Sequence, residues 1–356
     1  MQPQRAVTKR VPMWLAMLQV ALVCIGGGMA CASQVAAADG SDSGLQAYRS
    51  NLALKLQKSS SPRDWALGSQ LLETRPVSGA ALRERGVFLF RAAKAAPKDR
   101  LVQTLWANLP LRERHCRATQ RCTNHATALV RLDPGNGAAW VATIDRAWKQ
   151  GDSRGTEAAL TRMARADRYN EHLGEAIAAW RDVLRRYPPP LPQVLPRYGA
   201  DMSAQIADAL DLIFDEAVET VVPPTPSLFD ACRRAKYPNA GARHFEACGK
   251  IARLMMGRSQ TLIGRGFGVA ILRASHVGKQ ADIPMVRAVT WQLEQYRPIV
   301  AALGSNAIAK QNHLNLIEST DSEMQVIQYE LKSGGVSLSP PDGWKQTLNG
   351  KQIEPL

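Results

Sequence analysis

The sequence predicts an all-α protein, and three observations carry this prediction. Of the 356 residues, 51 are Ala and 37 are Leu, the strongest helix formers among the apolar residues. Apolar residues recur at helical spacing through most of the chain, in segments separated by turns that contain Pro, Gly, Asn or Asp. Apolar residues make up 45% of the chain and charged residues 21%, so the chain can bury a core, and this excludes a disordered protein.

Residues 1–38 have the organisation of an export signal. An apolar run over 11–25 is followed by small residues as far as Ala38, and it is preceded by the basic residues Arg5, Lys9 and Arg10. We expect cleavage near Ala38 and a periplasmic mature protein. Two alternatives stay open: a lipoprotein anchored at Cys31, and an uncleaved signal anchor that crosses the membrane with residues 11–32.

The mature chain is expected to be basic. The net charge is +14, and the export signal carries three bases and no acids, so +11 remains after cleavage. Export makes nucleic acid an unlikely partner, and no later segment approaches the run of about 18 apolar residues that a membrane span needs. The charge favours an anionic lipid, a cell-wall polymer or an acidic protein as a partner, bound through basic segments at 83–121 and 231–273.

The first helices follow a polar, flexible segment, 39–61, which contains a weak helix pattern. Ser61 then caps a helix that has Pro62 in its first turn, and another helix runs over 78–96. From there turns recur at steps of 37 and 34 residues, and they occupy residues 96–99, 132–136 and 167–170. A period of 34 residues with paired helices is typical of a helical solenoid.

One stretch resembles the tetratricopeptide repeat (TPR). Pro134 stands six residues before Trp140, as in that family, and Ala147, Gly151 and Leu160 fall at three further positions of its pattern. One good repeat covers about 135–168 and has degraded neighbours. The departures from the pattern are Thr143, Ile144, Thr156 and Arg168.

The resemblance implies antiparallel helical hairpins over 62–187, stacked into a right-handed solenoid with a concave surface. A partner-binding groove is expected at the less apolar positions of each hairpin's first helix, namely Gln103, Asn108, Thr143 and Arg146. The chain as a whole also resembles uncharacterised exported bacterial helical-repeat proteins, and that resemblance supplies no function.

A proline-rich linker, 188–200, separates this part from a helical C-terminal half, 201–335. Its predicted helices lie at 201–222, 227–237, 240–256, 259–276, 283–301 and 313–332. The remaining residues, 336–356, form an irregular tail, and we expect Trp344 to pack on the last helix.

Four cysteines remain after signal cleavage, and an even number in an oxidising compartment indicates two disulfides. Cys232 and Cys248 flank a turn at similar distances, so one bridge can join two helices, and Cys116 and Cys122 lie close together in a loop. The alternatives are free thiols, or a zinc site that adds His115 and His125 to the second pair.

No catalytic motif stands out, so the sequence predicts neither an enzyme nor a cofactor. Helix 201–222 has six acids and no base, which indicates a solvated face, or a face paired with the basic segment 231–273, rather than a metal site. Its acids include Asp211, Asp215 and Glu219 at helical spacing. Glu318-Ser319 matches the catalytic pair of lytic transglycosylases, so a cell-wall hydrolase is the enzymatic alternative. The leading hypothesis is a periplasmic scaffold that binds a peptide or a protein.

Overall fold

The computed structural model describes residues 43–72, 79–109, 124–189, 202–222, 225–237, 239–303, 306–348 and 351–352. The described part of the chain is helical, as predicted. The export signal, the Cys116–Cys122 pair and most of the proline-rich segment lie outside these residues.

In the described residues, eight helices precede the proline-rich segment: α1 Ser43–Gln57, α2 Pro62–Gln70, α3 Gly79–Ala95, α4 Arg100–Asn108, α5 Asn124–Leu132, α6 Ala138–Lys149, α7 Ser153–Met163 and α8 Leu173–Arg186. Side-chain caps begin α2, α4 and α7. Ser61 accepts a hydrogen bond from the N–H of Asp64, with Pro62 as the first helical residue, and Asp152 caps α7 through the N–H of Gly155.

Seven helices follow in the described residues: α9 Met202–Val221, α10 Pro226–Cys232, α11 Ala242–Arg258, α12 Leu262–Ser275, α13 Ile283–Leu303, α14 Ala307–Thr320 and α15 Glu323–Ser333. Short 3-10 turns occupy Arg234–Lys236 and Gln280–Asp282. Near the C-terminus, two strands of two residues each, β1 Thr347–Leu348 and β2 Lys351–Gln352, pair antiparallel.

The single helix predicted at 313–332 is wrong, because the chain forms two helices there. Asp321 has the left-handed φ of +49° and ends α14. Ser322 then caps α15 by accepting from the N–H of Gln325 at 3.2 Å. A Ser followed three residues later by Gln is a capping-box pattern, so the sequence did contain a signal for this break.

Helices from both sides of the proline-rich segment share the same cores. One core joins α1–α4 with α8, α9 and α14. The other joins α6 and α7 with α10–α13 and α15. The described C-terminal half therefore packs on the N-terminal half and does not form a core of its own.

A disulfide joins Cys232 at the end of α10 to Cys248 in α11, which confirms this predicted pair. Both cysteines are fully buried in the second core. Helices α11 and α12 approach closely beside them, because a side chain at Gly268 would meet the main-chain oxygen of Ala252 at 2.8 Å. At position 268 only a glycine leaves room for this close approach.

The tail departs from its prediction. Trp344 packs edge-on against Trp291 of α13, with ring centroids 5.6 Å apart, and not on the last helix, α15. Among the described helices, none combines the length and the apolar character needed to cross a bilayer.

Candidate functional site

Gln103, one of the four residues predicted to line a groove, serves the fold itself. It is 1% exposed, and its Nε2 donates to the main-chain oxygens of Ala93 and Ala96 at 3.0 and 3.1 Å. These oxygens lie at the end of α3, where helix carbonyls lack partners within the helix. Gln103 is therefore a structural residue and does not face a groove.

Thr143 and Arg146 lie on α6 and are half-buried. The Thr143 hydroxyl is buried without a hydrogen-bond partner among the described residues. Burial lowers the pKa of the Arg146 guanidinium, against the charge of Asp152. Neither side chain is fully open to a partner.

The C-terminal half covers part of the predicted groove. Helix α9 packs against α4, and α10 packs against α6; α4 and α6 are the first helices of two predicted hairpins. The Ser227 hydroxyl of α10 donates to Asp145 Oδ1 of α6 at 2.6 Å, and this contact is buried. The chain's own helices thus occupy surface that the TPR resemblance assigns to a partner.

A small pocket lies beside Asn108, the fourth predicted groove residue. Its volume is about 20 Å³, which is room for about one water-sized group. Val221, the last residue of α9, forms part of its wall. Its lining combines polar and apolar residues: Thr104, Asn108, Asn136, Asn170, Glu171 and His172, with Leu129, Ala138, Ala139 and Val221.

The two turns of the 34-residue period meet at this pocket. Asn136 Nδ2 donates to the main-chain oxygen of Asn170 at 2.8 Å, and the N–H of Asn170 donates to Asn136 Oδ1 at 2.9 Å. The N–H of Gly137 also donates to Arg168 O at 2.8 Å. Residues 136 and 170, which are 34 positions apart, are therefore in direct contact.

Five ionisable residues from the turns gather beside the asparagines, and we call them the turn junction: Asp133, Arg168, Glu171, His172 and Asp321. His172 has the left-handed φ of +60°. Its Nε2 lies 3.5 Å from Asp133 Oδ2 and its Nδ1 lies 3.6 Å from Asp321 Oδ2. Burial disfavours the imidazolium, but the hydrogen bond to Asp321 and the charges of Asp321 and Asp133 raise the pKa of His172 above its usual value.

Asp133 and Asp321 are stabilised as carboxylates. Burial acts to raise the pKa of Asp133, but the hydrogen bond from Asn136 and the guanidinium of Arg168 hold it below its usual value. Asp321 Oδ1 accepts from the N–H of Gly174 at 3.0 Å, where α8 begins, and a carboxylate at a helix N-terminus is favourable.

Glu171 is buried at the N-terminus of α12. Its Oε1 accepts from the hydroxyls of Ser259 and Thr261 at 2.5 and 2.8 Å, and its Oε2 accepts from the N–H of Gln260 at 3.2 Å. Burial raises the pKa of Glu171 to about 7, against these hydrogen bonds. Gly264 leaves space for the Glu171 carboxyl group, because a Cβ at position 264 would lie 2.2 Å from Glu171 Oε1.

Glu323, the first residue of α15, reaches the same helix N-terminus. Its Oε2 accepts from the N–H of Leu262 at 2.8 Å, and burial raises its pKa. Glu171 and Glu323, from two distant parts of the chain, are thus both bonded to the start of α12.

The acidic helix α9 has different partners from those we predicted. Glu216 accepts from Arg49 Nε of α1 at 2.7 Å, and Asp211 forms an ion pair with Lys310 of α14. Its main neighbours are α4, α8 and α14, and not the basic segment 231–273. The predicted pairing of the two segments is therefore wrong.

Within α9, burial and the charges of Asp211, Glu219 and Glu216 raise the pKa of Asp215 to about 8, against Arg49. Among the described residues, no three His, Cys, Asp or Glu side chains are grouped to hold a metal ion.

Several bases of segment 231–273 have acidic partners nearby. Lys236 pairs with Asp230 at 2.7 Å, Lys250 with Glu246 at 2.9 Å, and Arg253 with Asp282 at 2.7 Å. These pairs reduce the local excess of positive charge that an anionic partner would meet.

Glu318, the acid considered for a hydrolase, forms an ion pair with Arg181 of α8. This ion pair joins α14 to α8.

No family model matches this chain, and no curated protein or solved structure is similar to it.

The sequence reasoning missed Glu171, His172 and Asp321. Glu171 and His172 follow a predicted turn and show no helical periodicity, so nothing local marks them as buried. The break after Asp321 had a signal in its Ser-x-x-Gln pattern, but the partner of its carboxylate lies about 150 residues away, and local pattern does not encode such a contact.

Proposed function

We propose that the protein is an exported helical-repeat scaffold that binds a peptide or protein partner in the periplasm. The observation that carries this proposal is the pocket beside Asn108, which lies on the predicted groove and is bordered by Val221 of α9. A pocket of this size takes one small polar group, so a partner would lie across the surface and insert one side chain or main-chain amide. The proposal contains no catalytic step.

Contacts between the turns support TPR-like hairpins over 62–187. Asn136 and Asn170 occupy equivalent positions of the 34-residue period and bond to each other. Trp140 Nε1 donates to Pro134 O at 3.2 Å, which gives a physical reason for their spacing of six residues. Helices α2 to α6 each pack against the next helix in the sequence, as stacked hairpins do.

The buried disulfide Cys232–Cys248 supports location in an oxidising compartment. The N-terminal signal pattern supports the periplasm as that compartment, with cleavage near Ala38. A mass of the exported protein that begins at Asp39 would agree with this, whereas a lipid on Cys31 would favour the anchored alternative.

Site-directed photo-crosslinking in cells that export the full chain tests the binding proposal. A photo-reactive residue at position 108 should give a discrete adduct, and the same residue at Tyr329, an exposed position on α15, should not give that adduct. Filling the pocket with Thr104→Phe should abolish the adduct from position 108. Identical adducts from both positions, or an adduct that survives the filled pocket, would contradict the proposal.

A further inference from the structure

The tail is held on the surface of α13 by hydrogen bonds to its main chain. Trp291 Nε1 donates to Ser337 O at 2.8 Å, and Gln292 Nε2 donates to Leu338 O at 2.9 Å. Arg287 Nη2 donates to Trp344 O at 3.0 Å. The donors are helix side chains and these acceptors are main-chain carbonyls of the tail, so the contacts depend on the tail backbone more than on its side chains.

The tail sequence suits a surface of donors. Pro340 and Pro341 have no N–H, so this segment presents carbonyls without donors of its own. A turn follows, in which the N–H of Trp344 donates to Pro341 O at 3.2 Å and Gly343 has a φ of +78°. The turn places Trp344 edge-on against Trp291. Proline-containing segments on aromatic-lined grooves are a general mode of peptide recognition.

The tail leaves part of this surface unsatisfied. Gln292 is 6% exposed, and its Oε1 has no hydrogen-bond partner among the described residues. The Nε2 of Gln346, 5% exposed, also has none, although its Oε1 accepts from Arg273 at 2.9 Å. A buried polar atom without a partner is costly. A peptide that gave a donor to Gln292 Oε1 would fit the surface better than the tail does.

The geometry points to a peptide-recognition groove formed by Arg273, Arg287, Trp291 and Gln292, whose external ligand is an extended, proline-containing segment of a partner protein with an aromatic residue after a tight turn. Residues 336–346 occupy the groove as an internal competitor. The groove is separate from the pocket beside Asn108, so its test does not depend on the proposed function.

A fluorescent peptide with the sequence of residues 336–347, VSLSPPDGWKQT, is the probe, and fluorescence anisotropy with the full chain is the measurement. A tethered tail competes at an effective concentration of the order of millimolar, so the wild-type chain should bind weakly. Trp344→Ala in the full chain should loosen the tail and tighten probe binding by about tenfold. Equal binding by wild type and Trp344→Ala would overturn the competitor role.

Second substitutions in the Trp344→Ala chain locate the probe. Trp291→Ala should abolish binding, whereas Tyr329→Ala, on the exposed surface of α15, should leave it unchanged. Arg287→Ala provides an independent variant if Trp291→Ala lowers the helical circular dichroism. Replacing both prolines of the probe with Ala should weaken binding about fivefold. The groove is overturned if Trp344→Ala binds no probe, if groove variants bind normally, or if light scattering shows that tail exchange between two copies accounts for the signal.

Discussion

The turn junction and helix α9 both bury carboxylates, but different groups surround them. In the junction, Glu171 accepts from two hydroxyls and one main-chain N–H, and burial alone raises its pKa. In α9, Asp215 lies near three other carboxylates, which add to the effect of burial. A buried carboxylate that accepts hydrogen bonds is compatible with the folded structure. A buried carboxyl group beside other carboxylates destabilises the folded state once it ionises.

The largest effect is expected from a substitution that fills the space beside Glu171 in the turn junction. Gly264→Ala would place a Cβ 2.1 Å from Ser259 Oγ and 2.2 Å from Glu171 Oε1. We expect a loss of about 2–3 kcal/mol in the free energy of unfolding, because both groups are buried and cannot move aside without losing their hydrogen bonds. Urea unfolding measures this.

Gly257→Ala is the matched control, since Gly257 is also helical but exposed, and its nearest neighbour would lie at 3.9 Å. It should stabilise the protein by about 0.5–1 kcal/mol through helix propensity. Equal stability of the two variants would show that the junction tolerates crowding.

Asp→Asn substitutions in the turn junction and in α9 should have opposite effects on stability. At pH 8, Asp133→Asn should lower the free energy of unfolding by about 1–2 kcal/mol, because it removes a charged acceptor of Arg168 and Asn136. Asp215→Asn should raise it by about 1 kcal/mol, because it removes a charge from among carboxylates.

Chemical denaturation at pH 8 and pH 5 separates the two variants. At pH 5, Asp215 is protonated in the folded state and ionised only in the unfolded state, so Asp215→Asn should stabilise the protein less at pH 5 than at pH 8. A destabilising Asp215→Asn at pH 8 would mean that Arg49 outweighs the neighbouring carboxylates.

The smallest expected effect is the pH dependence of the wild-type protein. The folded-state pKa values of Glu171, about 7, Asp215, about 8, and His172 are raised, so between pH 5 and pH 8 the folded state holds more protons than the unfolded state. Stability is therefore lost as the pH rises through this window. We expect Tm to fall by about 2–4 °C, and Asp215→Asn should flatten the profile.

Below about pH 4 the sign reverses, because the pKa values of Asp133 and Asp321 are lowered in the folded state and their contribution is lost on protonation. Scanning calorimetry across both ranges should show maximum stability near pH 5. A Tm that rose from pH 5 to pH 8 would contradict the assigned directions.

Much of the fold followed from signals within one or two helical turns. The helix starts at Ser61-Pro62 and Asp152 depend only on neighbouring residues. The Cys232–Cys248 pair was also predictable, because the two residues flank one short connection. The candidate site was less predictable. Of the residues predicted to line the groove, Asn108 lines a pocket, but Gln103 is buried.

The sequence by itself determined the helical class, most helix starts and one disulfide, because capping and helical periodicity act over a few residues. Tertiary structure decided which face of the hairpins α9 and α10 cover, which bases meet the acids of α9, and which helix receives Trp344. These contacts join residues tens to more than a hundred positions apart. Such pairings depend on how apolar helix faces fit together in the shared cores. A local sequence pattern identifies a face as apolar, but it does not identify the helix that packs against that face.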